Sequence, residues 1–513
     1  MGYLLGVDIG TQGIKGVLLD ENLKIVKKAY IEHNYIQPKA NWFEHDAEET
    51  WWKGFKAVVQ KLFTQASFSP QDIIGIGCSG VSPCMLPVDN RNKPLRNAIL
   101  YGIDTRAQNE IKEITQKLGE KKLLEINKQV LTTQSVGPKI LWYKKNEPEK
   151  FNKTKRIFTS TNYIVSKLTG NYVLDHSQAA FFGPFYDFNK HCWNKEICEF
   201  FDIPLNIFPE LKNVKDIAGK VSQKAAEETG LSKGIPVITG TADGIAEIIS
   251  AGSSKPGEVT LIYGTTGIIS IITNKIPPIK GLWILPHFLF SGKYLVVGGT
   301  ATSAALTKWF RDNFGDVEKI MQKRIKINAY DLLIQQAEKI TPGSQGLIVL
   351  PYFSGERTPI NDPLARGVIM GLTLSHSRAH IYRALLEGTA YSFQHHFDIF
   401  RQHKLEISKV IACGGGAKSL LWVQIVSDVI GHDQFVPNTI IGAEMGMAYM
   451  AAKAVGLFDD YSSIMKAAGE KDTWKRIEFN QKNHEMYCEY YKIYRNLYKN
   501  IKNDMHTLAL KSE

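Results

Sequence analysis

Two stretches hold most of the residues able to do chemistry. The first is Asp8-Ile-Gly10-Thr11-Gln12-Gly13-Ile-Lys15, near the start of the chain. Glycines allow a tight turn and leave backbone N–H groups bare for a ligand. Thr11 adds a hydroxyl, Gln12 an amide and Lys15 a cation, which together suit a polyphosphate. Asp8 is an acceptor-only group suited to hydrated Mg2+. A plain hairpin turn would use the same glycines. The second stretch is Gly240-Thr-Ala-Asp243-Gly, where an apolar strand gives way to a helix. The helix dipole favours an ionised Asp243, and a carboxylate presented there can take a proton from a substrate hydroxyl. A simple N-cap is the competing reading.

Further along, Gly264-Thr265-Thr266-Gly267 repeats the opening design of strand, glycine–threonine turn, strand. Two such turns, one per domain, can hold phosphates from two sides. Gly414, Gly415 and Gly416 sit between an apolar strand and a helix starting near Ser419. Bare backbone there lets a flat adenine or ribose lie close, although the pattern is not GxGxxG. Asp104 and Arg106 are two apart, so in an extended segment they project the same way. They can bind polyol hydroxyls or simply pair with each other. Cys84 and Cys413 are candidate thiols, but neither has an evident His partner.

The elements that position these groups follow from pattern. Tyr3–Ile9, Lys15–Leu19 and Leu23–Ile31 read as three strands of a meander. A helix over 47–64 has Asp46 as N-cap and Glu49 in capping-box position. Ile73–Cys78 is a short apolar strand running into the turn-rich Ser79-Gly-Val-Ser82-Pro. Pro138 opens a helix, and Gly170 ends another. Val173-Leu-Asp175-His-Ser-Gln-Ala reads as a polar loop. Ser253–Gly257 is the expected boundary between domains 1–252 and 253–513. Beyond it lie a long helix over 380–400, a small-residue helix over 444–455, and a Lys- and Tyr-rich surface helix after about 474.

A chain of 513 residues exceeds one ordinary core, so two or more domains are expected. Its 44% hydrophobic and 22% charged residues are those of a soluble globular protein. No apolar run reaches membrane-spanning length and no leader pattern opens the chain, so the expected location is cytoplasmic, away from membranes. The six cysteines have no zinc-like spacing and read as reduced thiols. The net charge of +11 is scattered, without a basic block or nucleic-acid motif. Nucleic acid is therefore not the expected partner; a solvated helical surface accounts for the charge, which can also help draw in an anionic nucleotide.

Taken together, these motifs resemble the FGGY carbohydrate kinases of the actin–Hsp70–sugar kinase superfamily, over nearly the whole chain. The resemblance rests on Asp8-Ile-Gly-Thr-Gln12, Trp42 with Glu44 and Asp46, Pro138-Lys-Ile-Leu-Trp142, Gly240-Thr-Ala-Asp243, Tyr263-Gly-Thr-Thr266 and Cys413-Gly-Gly-Gly-Ala-Lys418. Gly367 to Glu387 is close to the family's second signature and departs from it at Leu385. The resemblance implies an α/β chain of two actin-like (ribonuclease H-like) domains, each with a mixed five-stranded sheet flanked by helices. The N-terminal domain would bind sugar and carry the base, the C-terminal domain would bind nucleotide, and the cleft between them would hold Mg-ATP and a sugar or polyol. A homodimer is one assembly compatible with it.

The resemblance also implies roles. Asp243 is similar to the catalytic base. Asp8, with Asp243, resembles the Mg2+ site. Gly10, Thr11, Gln12 and Lys15 look like the terminal-phosphate turn, Gly264, Thr265 and Thr266 the second phosphate turn, and Gly414, Gly415, Gly416 and Lys418 the adenosine loop. Ser82, Asp104, Arg106 and Asp243 match the sugar side. Both the Gln-Met-His run of xylulose kinases and the Arg-Glu pair of glycerol kinases are missing from Val81-Ser82-Pro83-Cys84. The flanking Leu86-Pro-Val-Asp89 and Ala98-Ile-Leu resemble the branch acting on ketopentoses such as xylulose. Ribulose, fuculose, erythritol and glycerol stay open as acceptors. So do two non-kinase readings, a nucleotide switch and a non-catalytic sugar binder.

Overall fold

The computed structural model describes residues 2–64, 68–277, 279–289, 291–438, 442–468 and 474–511. The chain forms two compact units. Unit 1 comprises Met1–Gly252, Ile284–Tyr294 and Thr439–Asp472, and unit 2 comprises Ser253–Trp283, Leu295–Asn438 and Thr473–Glu513. The two excursions from the second half of the chain into unit 1 set this arrangement apart from the continuous 1–252 and 253–513 division expected from sequence. Among the described residues no helix is long and apolar enough to cross a membrane.

Unit 1 is built on β1 (Tyr3–Ile9), β2 (Gly13–Asp20), β3 (Ile25–Glu32), α1 (Lys53–Phe63), β4 (Ile73–Gly80), α2 (Ser160–Thr169), β5 (Val173–Asp175) and α3 (His176–Ala179). These are followed by β6 (Ile217–Lys220), β7 (Pro236–Ile238), β8 (Thr241–Ala242) and α4 (Asp243–Ser250). β1, β2 and β3 form the antiparallel meander, and β4 lies parallel to β1 on its other side. β7 and β8 both pair parallel with β4, and β6 closes the edge antiparallel to β7. The sheet is mixed, as expected, but has seven strands rather than five; β6 and β8 are the short additions.

β1 is apolar on both faces because both are covered. Leu5, Val7 and Ile9 enter a core with Ile76, Val237 and the α1 residues Phe55, Val58 and Val59. The helix Ala443–Ala454 approaches β1 and β4 where they carry glycine. A Cβ on Gly6 would lie 1.9 Å from the Glu444 carbonyl oxygen, and one on Gly77 would lie 2.3 Å from that of Met447. Asp46 does cap the helix after it, accepting from the N–H groups of Glu48 and Glu49, but the first stretch, Ala47–Trp52, is π-helical.

In unit 2, β9 (Glu258–Tyr263), β10 (Gly267–Thr273), β11 (Tyr294–Gly299), α5 (Ala304–Phe314), α6 (Arg378–Gln402), β12 (Lys409–Cys413), α7 (Leu420–Ile430), β13 (Gln434–Val436), β14 (Lys475–Ile477) and α8 (Gln481–Lys511) repeat the design. β9 and β10 form a hairpin, and β12 lies parallel to β9. The long α8 is not only a surface element. Its Tyr487, Tyr494 and Met505 are buried in the unit 2 core, and the Tyr494 hydroxyl meets that of Tyr352 at 2.7 Å.

Candidate active site

Four adjacent strands of unit 1 bring the first charged groups together. Asp8 of β1 is in register with Lys15 of β2 and with Ser79 of β4, and Ser79 is in register with Thr241 of β8. Ser79 Oγ donates to Asp8 Oδ1 at 2.9 Å. Asp243 follows β8 immediately and opens α4. It is not the N-cap: Ala242 occupies that position, and Asp243 Oδ1 accepts from the Gly244 N–H at 2.8 Å. Glu247 lies one helical turn on, on the same face as Asp243. Burial first, then the charges of Asp8 and Glu247, hold the Asp243 carboxyl well above its ordinary 3.8. Burial likewise pushes Asp8 up to about 6, against the pull of Lys15, and Glu247 up to about 7. Lys15 is solvent-exposed on one side. Desolvation works most strongly against its charge, yet Asp8, Glu444, Glu247 and Asp243 together raise it above an ordinary lysine.

The turn after β1 is rigidly held. Gly10 N–H donates to the Gly13 carbonyl at 3.0 Å. Gly13 packs where a Cβ would lie 2.3 Å from the Tyr30 ring. Trp51 Nε1–H donates to His45 Nδ1 at 3.0 Å, so the His45 proton is on Nε2, 3.1 Å from the Thr11 carbonyl. Burial pushes His45 down to about 3, keeping it neutral in this role. Thr11 is half-buried and Gln12 exposed.

Four carboxylates around one lysine leave an excess of negative charge. Glu444 Oε2 is buried and has no hydrogen-bond partner among the described residues. No group of three or more His, Cys, Asp or Glu among those residues is arranged to hold a metal ion by itself. That combination fits a hydrated Mg2+ carried in on nucleotide phosphates, which needs only one or two protein carboxylates.

Within unit 2 the second turn and the glycine loop are neighbours. Ala304 N–H donates to the Gly264 carbonyl at 2.9 Å, and the N–H groups of Ser303 and Ala305 donate to that of Thr265 at 3.0 and 3.1 Å. The turn is thereby fixed to the N-terminus of α5. Thr265 is exposed and Thr266 half-buried. Gly414 adopts φ +89°, and a Cβ on it would lie 3.0 Å from the Tyr263 nitrogen. A Cβ on Gly415 would meet nothing within 4 Å, so its backbone is open. Lys418 is exposed. Ser303 Oγ, at the head of α5, is buried with no partner among the described residues. The Ser303, Ala304 and Ala305 N–H groups are taken up by the turn, so the Ser303 hydroxyl is the donor left at that helix end.

Of the two readings of Asp104 and Arg106, the structure shows the mutual ion pair and not the sugar-side role that the resemblance implied. Arg106 donates from Nε (2.9 Å) and Nη2 (2.7 Å) to Asp104, and from Nη1 to Glu44 at 2.8 Å. Its guanidinium lies 4.2 Å from the Trp42 ring centre and 5.1 Å from that of Trp142. Both side chains have 0% exposure. The pair is an inner brace with its polar atoms saturated, not an open pair facing polyol hydroxyls. Ser82 is half-buried at the end of β4 and donates to Gln178 Oε1 at 3.0 Å. Cys84 is buried and its thiol is pushed up to about 12 by burial, which leaves no ready thiolate.

Several site residues escaped the sequence reading. Glu247 was readable as the i+4 partner of Asp243. Asp175 was readable as an N-cap, since it accepts from the N–H groups of Ser177 and Gln178, but β5 and α3 were read as loop. Glu444 and Ser303 carried no local signal.

The model of the FGGY family of carbohydrate kinases, N-terminal domain, matches residues 3–250, and that of the C-terminal domain matches residues 259–455. The chain is 31% identical to the xylulose kinase of Lactococcus lactis subsp. lactis (strain IL1403), over 99% of both chains. It is 28% identical to the gluconokinase of Bacillus subtilis (strain 168), over 94% of this chain and 93% of the other. Among solved structures, the xylulose kinase from Rhodospirillum rubrum superposes with a TM-score of 0.84 at 28% identity, over 98% of this chain and 100% of that one.

Proposed function

The chain belongs to the FGGY family of carbohydrate kinases, and from that membership we propose that it transfers the terminal phosphoryl group of ATP to a primary hydroxyl of a ketopentose such as xylulose, with Asp243 as general base. The observation that carries the residue assignment is the place of Asp243. It stands at the strand-to-helix junction beside Asp8, with its carboxylate raised by burial and by two neighbouring acids. A carboxylate so raised is better matched to taking a hydroxyl proton near neutral pH than an ordinary one.

In this reading Asp243 Oδ accepts the proton as the acceptor oxygen attacks phosphorus. The N–H groups and Thr11 hydroxyl of the Gly10–Gly13 turn, with Lys15, hold the terminal phosphate. Asp8 and Asp243 would hold Mg2+, which would supply charge neutralisation on the transferring group. Gly264, Thr265 and Thr266 take the remaining phosphates, and the open backbone of Gly414–Gly416 takes the adenosine, with Lys418 beside it. Transfer of this kind is positioning plus electrostatics, with little covalent work for the protein. The inner brace of Asp104 and Arg106 is not part of it.

The test is ADP release across ketopentoses, ketohexoses, polyols and aldoses. ATP consumption dependent on a ketopentose, with phosphorylated sugar as product, is the expected result. ATP consumption that ignores every acceptor would favour a nucleotide switch, and ATP binding without turnover would favour a sugar binder.

A further inference from the structure

A hydrogen-bond chain runs under the acceptor side of unit 1, and none of the steps above uses it. Ser82 Oγ donates to Gln178 Oε1 at 3.0 Å, and Gln178 Nε2 donates to Asp175 Oδ1 at 2.7 Å. Asp175 Oδ2 accepts from Thr241 Oγ1 at 3.0 Å and from the N–H groups of Ser177 and Gln178 at 3.0 and 3.3 Å. Asp175, Gln178 and Thr241 are buried; Ser82 alone is half-buried. Burial pushes Asp175 up to about 6, but two backbone N–H groups already donate to its Oδ2, and these fixed donors favour the charged form.

The direction of every proton in this chain is forced. An ionised carboxylate only accepts, so the Gln178 amide must turn its NH2 toward Asp175; the flipped amide would set a carbonyl against a carboxylate. Gln178 therefore shows its carbonyl to Ser82, and Ser82 must donate its single hydroxyl proton there. What Ser82 has left for a ligand is lone pairs.

Strand register puts Ser82 and Asp243 at the same end of the sheet. β8 and β4 are parallel neighbours, with Thr241 opposite Ser79 and Ala242 opposite Gly80. Ser82 comes two residues after Gly80 and Asp243 one after Ala242, so both leave the same end of paired strands. Cys84, in the Ser82 loop, lies within reach of the Asp243 charge.

We infer that Gln178 sets the acceptor chemistry of this site: by fixing the Ser82 proton it makes Ser82 a hydrogen-bond acceptor only, so the subsite takes a neutral hydroxyl of a ketose and turns away the carboxylate of an aldonate. The inference rests on the sugar-kinase reading and on acceptor binding beside Asp243. A hydroxyl brings the proton that Ser82 lacks. A carboxylate brings none, and would face lone pairs with the Asp175 carboxylate behind Gln178; an unmet polar contact at a part-buried site is penalised. The distinction matters here because relatives named xylulose kinase and gluconokinase match the chain at similar identity.

The experiment measures kcat/KM of the full chain for a ketopentose and for an aldonate, in the wild type, Gln178→Leu and Ser82→Ala. The wild type should favour the ketose by at least about 10²-fold, as sites built around a hydroxyl do. Gln178→Leu frees the Ser82 proton for the ligand and should narrow that ratio at least about tenfold, chiefly by lowering KM for the aldonate. Ser82→Ala should raise KM for the ketose more than it lowers kcat. An aldonate phosphorylated by the wild type as well as the ketose would overturn the inference and leave the kinase reading standing. So would an unchanged ratio in a Gln178→Leu chain that melts like the wild type. The wild-type ratio needs no variant, so a misfolded variant does not remove the test. Turnover of no acceptor while ATP still binds would overturn the kinase reading and this inference with it.

Discussion

Asp243 and Glu247 occupy one face of α4, and each carboxylate makes ionisation of its neighbours harder. Burial is the larger cause for Asp243, with Asp8 and Glu247 adding to it. The base works only when deprotonated, and a raised pKa means that it is protonated at a higher pH than usual. Activity should therefore fall as pH drops while the pH is still well above 3.8, the ordinary value for such a carboxyl. Removing one like charge with Glu247→Gln should move the acid limb of kcat/KM to lower pH. Superimposable pH profiles for the two proteins would show that Glu247 does not act on the base. At this scale the sequence was informative where chemistry is local: Asp8, the glycine–threonine turns and Asp243 all fall on the strand ends where their types suggested. It was uninformative where partners are remote. For Asp104 and Arg106 it could not choose between a sugar contact and a mutual ion pair, because nothing near them in sequence reveals Glu44, Trp42 and Trp142 closing around the guanidinium.

The helix Ala443–Ala454 shows how an element, rather than a residue, positions the site. Gly446 faces α4, where an added Cβ would lie 2.1 Å from the Ala246 carbonyl oxygen. Gly6 and Gly77 allow the same close approach to the strands beneath. This is the geometry that brings Glu444 to the Asp8–Lys15 pair. Gly446→Ala must push the helix off α4, which should destabilise the protein by about 1–3 kcal/mol, as overpacking does. Denaturant unfolding would measure it; a midpoint equal to that of the wild type would mean the contact is not tight. The run of small residues made this helix readable, and the observed bounds differ from the expected 444–455 by one residue at each end. The π-helical opening at Ala47–Trp52 and the short β5–α3 pair were not readable, since neither has a distinct period or enough length to show one.

For the molecule as a whole, the family match spans both halves, and two α/β units with mixed sheets were expected from the resemblance to that family. Their true composition was not, because the helix that completes unit 1 is joined to it by glycine fit some 440 residues from the start of the chain. The net charge of +11 is spread over this chain, while the candidate base sits in a local excess of carboxylates, so bulk charge did not point to the site. The account turns on one of those carboxylates. The most direct test is turnover of a ketopentose by Asp243→Asn beside the wild type, with ATP binding measured on both. The expected result is a loss of at least about 10²-fold in kcat with nucleotide affinity retained. Equal turnover in the two proteins would contradict it.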